Sequence, residues 1–231
     1  MPTELETATL AECQAGVLAL VEQLPCPVAN RAGGSMSNHS KPYQARLVRE
    51  AGLLTPRTLV TSDPAAARAF YEECGGAAIF KSVSGVRSIV RRVECRDLER
   101  LETLRHGVAQ FQAYVPGENV RVHTVGDETF ATRIRSDAVD YRFASQRGHA
   151  LEMAATTLPP PVAEACLALT RTMGLCIAGI DLKETPAGEW YCFEINPSPG
   201  FAFYEQWTGQ PISAALAGLL RGAHGSATER R

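Results

Sequence analysis

The sequence predicts an α+β fold, built from antiparallel strand pairs and separate helices. Segments with helical apolar spacing and capping residues alternate with short apolar strands along the 231 residues. Two strand pairs are separated by short polar turns, Gly126-Asp127 and "TPAG", and such turns join antiparallel neighbours. The hydrophobic fraction of 45% and the charged fraction of 21% are sufficient for a packed core.

The first fifty residues predict two helices separated by a link. Residues 8–24 have apolar side chains at helical spacing. The link that follows contains paired prolines, a Gly-Gly pair and serines, a composition typical of loops. "KPYQARLVREAG" then predicts a helix that begins at Lys41 and stops at Gly52.

The middle of the chain predicts a small mixed unit. "PRTLVT" predicts a strand, and "SDPAAARAFYEECGG" predicts a helix with Ser62 or Asp63 as its N-cap and Pro64 at its first position. "AAIFKSVSGVRSIVRRV" predicts two strands joined by a Ser/Gly turn. Residues 97–105 predict a helix, and "AQFQAYV" predicts the strand that closes the unit.

The C-terminal half predicts two hairpins and two helices. "VRVHTVGDETFATRIRS" alternates on both sides of its turn, which predicts a hairpin with His123 as an outward-facing structural residue. Residues 137–160 show no period and predict a long functional or mobile loop. "PPVAEACLALTRTMG" predicts a helix, and "LCIAGIDLKE" with "EWYCFEIN" predicts the second hairpin. A last helix over 211–221 precedes a tail that we expect to be frayed.

Composition excludes several classes of protein. The formal net charge of -2 and the pI of about 6.2 indicate no excess of basic residues for binding nucleic acid. The seven cysteines form no CxxC pair, so neither a zinc site nor a disulfide framework is indicated. The sequence has no signal-peptide pattern and no apolar run of about 20 residues, so we expect a soluble cytoplasmic protein.

Polar side chains at the ends of the last two strands suggest a metal site. Glu194 and Asn196 are two residues apart in a strand and therefore project to the same face. If the two strands are antiparallel neighbours, Asp181 joins them, and three oxygen ligands of this kind suit Mg²⁺. The alternative is an edge hairpin that carries exposed polar residues.

Two lysines are candidates for phosphate binding. Lys41 opens a predicted helix, and Lys81 ends the apolar strand "AAIF" just before the turn "SVSG". An ammonium group beside the free N–H groups of a turn is suited to holding phosphate. The alternative is that both lysines are ordinary solvated surface charges.

The order of these motifs resembles the ATP-grasp superfamily of carboxylate–amine ligases. The sequence is most similar to the branch of the RimK-type glutamate ligases and the microviridin-type peptide ligases. The resemblance spans residues 38–221 and rests on the two lysines, "FQAYVPGENVR" and the closing "GID…FEINPSPG". It implies an ATP-grasp fold in which two α+β subdomains enclose ATP.

The resemblance also implies roles for individual residues. Lys41 and Lys81 would contact the nucleotide and its phosphates. The adenine edge would be bound by backbone groups of the strand that links the two subdomains, namely Gln112, Ala113, Tyr114 and Val115. The ribose would be held by Glu118 or Asn119. The Mg²⁺ ligands would be Asp181, Glu194 and Asn196. Basic residues near the γ-phosphate or the acceptor carboxylate would be Arg133 and Arg142, and the turn near the substrate would contain Ser198 and Gly200.

The implied reaction has two steps and needs no covalent enzyme intermediate. A substrate carboxylate attacks the γ-phosphate of ATP to give an acyl phosphate, and an amine then displaces phosphate. The partners would be a small-molecule or peptide carboxylate and an amine donor, with no nucleic acid and no membrane. The alternative is a non-catalytic nucleotide- or partner-binding relative that has lost its first subdomain.

The resemblance implies a division of the chain into four parts. Residues 1–40 would be the remnant of an N-terminal subdomain, and residues 41–110 the small subdomain that covers ATP. Residues 111–224 would be the C-terminal subdomain, followed by the tail at 225–231. The short N-terminus would then reflect a naturally short form, a wrongly assigned start, or a subunit for which a homodimer or a partner chain supplies the missing part. The loop after Lys81 has one glycine, Gly85, where the superfamily usually has several.

Overall fold

The strands form two separate antiparallel sheets, which confirms the α+β fold class. The computed structural model describes residues 3–35, 40–82, 90–136 and 151–228. The first sheet has the order β1-β4-β2-β3, with bounds Thr58–Thr61 (β1), Ala78–Ser82 (β2), Arg91–Arg92 (β3) and Ala109–Ala113 (β4). The second sheet has the order β7-β6-β5-β8-β9, with bounds Glu118–Val125 (β5), Glu128–Ser136 (β6), Leu151–Thr156 (β7), Ile177–Glu184 (β8) and Trp190–Asn196 (β9).

The first sheet packs against one helix and two short helical turns. These are α4, α5 and a 3₁₀ turn, with bounds Pro64–Glu73, Cys95–Leu98 and Leu101–His106. Their shared core contains the buried side chains of Phe70, Leu101 and Phe111. Asp63 is the N-cap of α4, because its side chain accepts a hydrogen bond from the Ala65 N–H at 2.9 Å.

Two helices pack on one face of the second sheet. These helices are α3 (Lys41–Glu50) and α6 (Pro160–Thr172), and their core includes Val48, Leu169 and Ile180. The predicted division of the chain placed α3 in the unit of residues 41–110, whereas the structure packs it on the second sheet.

The opposite face of the second sheet is covered only in part. Helices α7 (Ala202–Thr208) and α8 (Ile212–Thr228) pack against it, with Tyr204, Ile212 and Phe130 in the shared core. The remaining part of this face carries the polar residues described below, and we call it the site face.

Three predictions of secondary structure in the C-terminal half were wrong. β7 occupies the end of the segment 137–160, for which we predicted a loop; residues 137–150 lie outside the described ranges. Met153 is the one buried residue of this edge strand. The strand therefore lacks the apolar alternation by which it could have been predicted. The seven-residue helix α7 is too short to show a helical period, and α8 continues to Thr228 instead of ending at 221.

The N-terminal helix α1 (Glu4–Gln23) extends from the rest of the fold. Thr3 and Glu6 form a capping box at its start, and nearly all of its side chains are exposed. At its end, the Arg31 guanidinium donates hydrogen bonds to the backbone carbonyls of four residues: Val21, Glu22, Leu24 and Cys26. The link therefore caps α1, and a four-residue helix, α2 (Ala32–Ser35), follows it. Within the described ranges, no helix has the length and apolar character needed to cross a bilayer.

Candidate functional site

The three predicted metal ligands lie together at the ends of two neighbouring strands. β8 and β9 are antiparallel, and their register places Asp181 opposite Glu194 and Gly179 opposite Asn196. Side chains at directly opposed positions share a face and have Cβ atoms about 5 Å apart. The site face therefore presents two carboxylates and one amide within the reach of a single cation.

A β-bulge in β9 is what turns the acid to this face. Cys192 pairs with Leu182, Glu194 pairs with Asp181, and Phe193 is the extra residue between them. Cys192 belongs to the helix-covered core. Regular alternation would place Glu194 on that same covered face, so the bulge separates the core half of β9 from its polar end.

Arg121 is a site residue that the sequence interpretation missed. It lies on β5 opposite Asp181, and its Nη1 donates to the Asp181 Oδ1 at 2.8 Å. The Arg121 side chain is only 7% exposed, so its positive charge is held in place beside the carboxylates. The alternation of "VRV" shows that Arg121 lies on the face opposite Val120 and Val122, but only the pairing of β5 with β8 places it beside Asp181.

Gly179 makes room for this arginine. A Cβ atom at position 179 would lie 2.5 Å from the Arg121 Cζ and 2.7 Å from the Pro199 Cβ. Both distances are far below van der Waals contact. The glycine of "GID" therefore allows the Arg121 guanidinium to cross β8 towards the turn that follows β9.

Arg133 is not brought to the site face. It pairs with Val120, a residue of the helix-covered core, and its guanidinium contacts the carboxylates of Glu118 and Glu184. Glu118 shares this location, so both residues lie away from the metal ligands. Arg142, the second predicted arginine, lies outside the described residues.

The predicted adenine strand connects the two sheets. β4 ends in the first sheet, where the N–H of Ala113 donates to the Arg57 carbonyl at 2.9 Å and the N–H of Tyr114 donates to the Ala77 carbonyl at 2.8 Å. The Gln112 side chain is buried in the same sheet. The Val115 carbonyl then accepts a hydrogen bond from Lys183 Nζ of the second sheet at 3.1 Å.

Lys183 is a second residue that the sequence interpretation missed. It lies two residues after Asp181 on the site face, where it pairs with Asn119. Its Nζ lies 5.2 Å from the centre of the Tyr114 ring, and the Arg92 Cζ lies 4.0 Å from that centre. Burial lowers the pKa of Lys183, so the connection between the sheets contains a partly desolvated cation.

The two predicted phosphate lysines lie near the end of β9. Lys81 belongs to the first sheet, yet its Nζ is 5.6 Å from the centre of the Phe193 ring in the bulge. Lys41 is the first residue of α3, and Gln44, one turn later, is hydrogen-bonded to the backbone of Ile195. The turn with Gly85 lies outside the described ranges.

The turn after β9 begins with a hydrogen bond from the backbone to a metal-ligand candidate. The Ser198 N–H donates to the Asn196 Oδ1 at 2.9 Å. Ser198 and Gly200 are exposed, so this turn is an accessible part of the site face.

Comparison with known proteins identifies the family of the chain. The model of the RimK-like ATP-grasp domain matches residues 39–220. The chain belongs to the RimK-like ATP-grasp family. This identification accounts for the fold with two antiparallel sheets.

Curated relatives of this ATP-grasp chain are longer than it is. A probable alpha-L-glutamate ligase of Rhodopirellula baltica is 26% identical over 209 residues, which are 87% of this chain and 51% of the relative. The ribosomal protein bS6–L-glutamate ligase of Escherichia coli is 28% identical over 183 residues, which are 74% of this chain and 59% of the relative. The chain therefore spans between half and two thirds of these relatives.

Solved structures of ATP-grasp ligases share the fold. The ligase PsnB complexed with a minimal precursor is 31% identical, with a TM-score of 0.80 over 93% of this chain and 69% of that one. The macrocyclase MdnC of Microcystis aeruginosa, bound to the precursor peptide MdnA, is 26% identical, with a TM-score of 0.82 over 95% of this chain and 72% of that one. Another PsnB structure contains Mg and ADP and is 30% identical, with a TM-score of 0.77 over 91% of this chain and 67% of that one.

His123 of this ATP-grasp chain is fully buried, so the prediction of an outward-facing residue was wrong. The cause is α7, which covers this part of the sheet; the His123 and Tyr204 ring centres are 4.8 Å apart. Interaction with the backbone of Gly200 favours the charged ring, but burial outweighs it. Burial, together with the charge of Arg121, lowers the pKa of His123 to about 4.

We expect His123 to make the stability of the fold depend on pH. Between pH 6.5, its ordinary pKa, and about 4, the unfolded chain binds a proton that the folded chain does not. Stability that is present above pH 6.5 is therefore lost as the pH falls, by about 3 kcal/mol at most. Urea unfolding at about pH 7.5 and pH 4.5 measures this loss. The loss should be smaller in His123→Leu and unchanged in a control, His106→Gln, at an exposed position.

Proposed function

We propose that this chain binds Mg²⁺-ATP between its two sheets and activates a carboxylate for ligation to an amine. The observation that carries the proposal is the convergence of Asp181, Glu194 and Asn196 on the site face, with Arg121 beside them. A nucleophilic carboxylate and the phosphates of ATP bring several negative charges together. Cations held in place by the fold are what such a reaction requires.

The donor set fits Mg²⁺. Two carboxylates and one amide are hard oxygen ligands, and Mg²⁺ is usually held by one or two carboxylates together with substrate phosphates and water. When bound, the metal would neutralise charge on the phosphates and polarise the phosphoryl group that is transferred. Asp181 and Glu194 would hold it from β8 and β9, and Asn196 would complete the protein side of the shell.

We assign the nucleotide contacts by the face on which each residue lies. Lys41, at the start of α3, and Lys81, close to Phe193, would contact phosphates near the end of β9. The N–H groups of Ala113 and Tyr114 are used inside the first sheet, so Val115 is our candidate for binding the adenine edge. Among the alternatives for the ribose contact we favour Asn119 over Glu118, because Asn119 shares the site face with Lys183.

We propose that the acceptor carboxylate binds above the turn of residues 197–200. The Arg121 guanidinium reaches towards this turn, which makes it our candidate for the role predicted for Arg133. Arg142 remains a predicted second arginine. The names of the relatives, glutamate ligases and ligases of precursor peptides, support a peptide or amino-acid carboxylate as the substrate class.

The second candidate function is nucleotide or partner binding without turnover. The single glycine of the loop after Lys81 favours it, because a stiffer loop would hold the γ-phosphate less well. A nucleotide-binding relative would bind ATP without consuming it, and a partner-binding relative would not need to bind ATP.

We expect Mg²⁺-ATP to raise the thermal midpoint of the purified chain. Ligand at about a hundred times its Kd stabilises a protein by about 2.7 kcal/mol. The Asn196→Ala variant should lose most of the shift, because it removes a metal ligand at an accessible strand end. Differential scanning fluorimetry with ATP, Mg²⁺ or both measures the effect. Equal shifts in parent and variant would contradict the metal assignment, and no shift in the parent would contradict nucleotide binding.

A further inference from the structure

Two buried or half-buried amide side chains hold the backbone on either side of Asn196. The first is Gln44, which is 4% exposed. Its Nε2 donates to the Ile195 carbonyl at 2.9 Å, and its Oε1 accepts from the Ile195 N–H at 3.4 Å. One side chain thus binds both polar groups of the residue before Asn196.

Gln44 takes the place of a neighbouring strand. β9 is at the edge of the second sheet, and its first half pairs with Leu54, whose N–H and carbonyl bind the backbone of Trp190 and Cys192. Beyond the bulge, Gln44 supplies the two hydrogen bonds that a strand partner would make at Ile195. At the polar end of this edge strand, the backbone groups on the side away from β8 are therefore hydrogen-bonded by a side chain and not by another strand.

The second amide is Asn30, in the link before the first lysine. Its Nδ2 donates to the Pro197 carbonyl and to the Ile177 carbonyl, both at 2.6 Å. Its Oδ1 accepts from the Cys176 N–H at 2.8 Å and from the Ile177 N–H at 3.3 Å. Asn30 thus joins the turn that follows Asn196 to the start of β8, the strand that carries Asp181.

We propose that Asn30 and Gln44 are positioning residues for the metal ligands. Together they hold the backbone of residues 195 and 197, so they determine where the Asn196 side chain and the adjacent Glu194 point. Asn30 would then be part of the metal site although it is not a ligand. This inference rests on the proposed Mg²⁺-ATP binding.

Such residues should change metal affinity more than they change the fold. Partners that orient metal ligands typically contribute about 10- to 100-fold to metal affinity. We therefore expect Asn30→Ala and Gln44→Ala to raise the Mg²⁺ concentration that half-saturates ADP binding by about tenfold. The affinity for ADP without Mg²⁺ should stay unchanged, because neither amide lies among the proposed nucleotide contacts.

The test is a calorimetric titration of Mg²⁺ at fixed ADP, with the thermal midpoint of each ligand-free variant measured alongside. Asn30→Asp is the sharper variant, because it keeps the acceptor for the N–H groups of Cys176 and Ile177 and loses the donor to the carbonyls of Pro197 and Ile177. The matched control is Arg31→Ala, which breaks four hydrogen bonds of the same link without touching residues 195–197. This control should lower the thermal midpoint and leave the Mg²⁺ requirement as in the parent.

The outcomes are separable. A raised Mg²⁺ requirement in Asn30→Asp and Gln44→Ala but not in Arg31→Ala supports the proposal. This conclusion does not require the Asn30→Ala variant to fold. The proposal is overturned if these variants keep the parental Mg²⁺ requirement, or if the control raises it equally. Absence of Mg²⁺-dependent ADP binding in the parent would instead refute the proposed function.

Discussion

Replacing Glu194 by glutamine is expected to reduce ATP turnover by about 100-fold or more while the chain stays folded. The carboxylate lies opposite Asp181 beyond the bulge and is only half-buried. Loss of metal charge at the phosphates removes several kcal/mol of transition-state stabilisation, and each 1.36 kcal/mol corresponds to about tenfold in rate. The free energy of unfolding should change by less than about 1 kcal/mol, because no core side chain is altered.

The matched control for Glu194→Gln is Glu184→Gln. Glu184 belongs to the same hairpin and is also half-buried, but it lies on the other face and contacts Arg133. ADP release from ATP, measured with a coupled assay in the presence of candidate peptides, should be lost in the first variant and kept in the second. Turnover that survives Glu194→Gln would rule out the proposed metal site. Equal loss in both variants would show that the effect is structural.

Replacing Gly179 by alanine is expected to affect both stability and turnover. The new methyl group would collide with the Arg121 guanidinium and with Pro199, so one of them must move. Forcing extra atoms into a packed position typically costs about 1–3 kcal/mol. Displacement of Arg121 would also withdraw positive charge from the proposed carboxylate site, and we expect turnover to fall by about tenfold or more.

A double-mutant cycle separates the two effects of Gly179→Ala. In the Arg121→Ala background the methyl group has fewer atoms to meet, so urea unfolding should show a smaller loss of stability than in the parent. Gly218→Ala is the control: this helical glycine has no heavy atom near the new methyl group, and alanine favours a helix. An equal loss of stability in both backgrounds would contradict the collision with Arg121.

The polar group of the site could be predicted from the sequence, but the geometry that forms it could not. The spacing of Glu194 and Asn196, with Asp181 on the predicted neighbouring strand, was sufficient to place these three polar side chains together. Strict alternation along "WYCFEIN", however, would put Glu194 on the same face as Trp190 and Cys192, which are core residues. Only the pairing of β9 with β8 shows that Phe193 is a bulge, and pairing is a tertiary property.

The arginines and the histidine illustrate a second limit. Arg121 and Arg133 lie on opposite faces of the β5–β6 hairpin, and helix α6 covers one of these faces. The alternation of the sequence is the same whichever face the helix covers, so it does not show which arginine reaches the site. His123 shows the same limit, because α7 covers its strand position and α7 was not predicted. Lys183 follows Asp181 with the correct period, yet its contact with the Val115 carbonyl depends on how the two sheets meet. The period of the sequence shows which residues share a face of a strand, and tertiary packing determines which face is buried and which carries the site.

The crossing of Arg121 over Gly179 also has a consequence for how relatives vary. The arginine side chain and any side chain at position 179 would occupy the same volume, since a Cβ atom there already lies 2.5 Å from the Arg121 Cζ. The two positions should therefore covary across an alignment of ATP-grasp proteins. Where the glycine of "GID" is replaced by a residue with a side chain, we expect the position of Arg121 to carry a small residue. Where the residue at position 179 is itself arginine or lysine, the cationic group would move from one strand to its neighbour and the charge would stay at the same place.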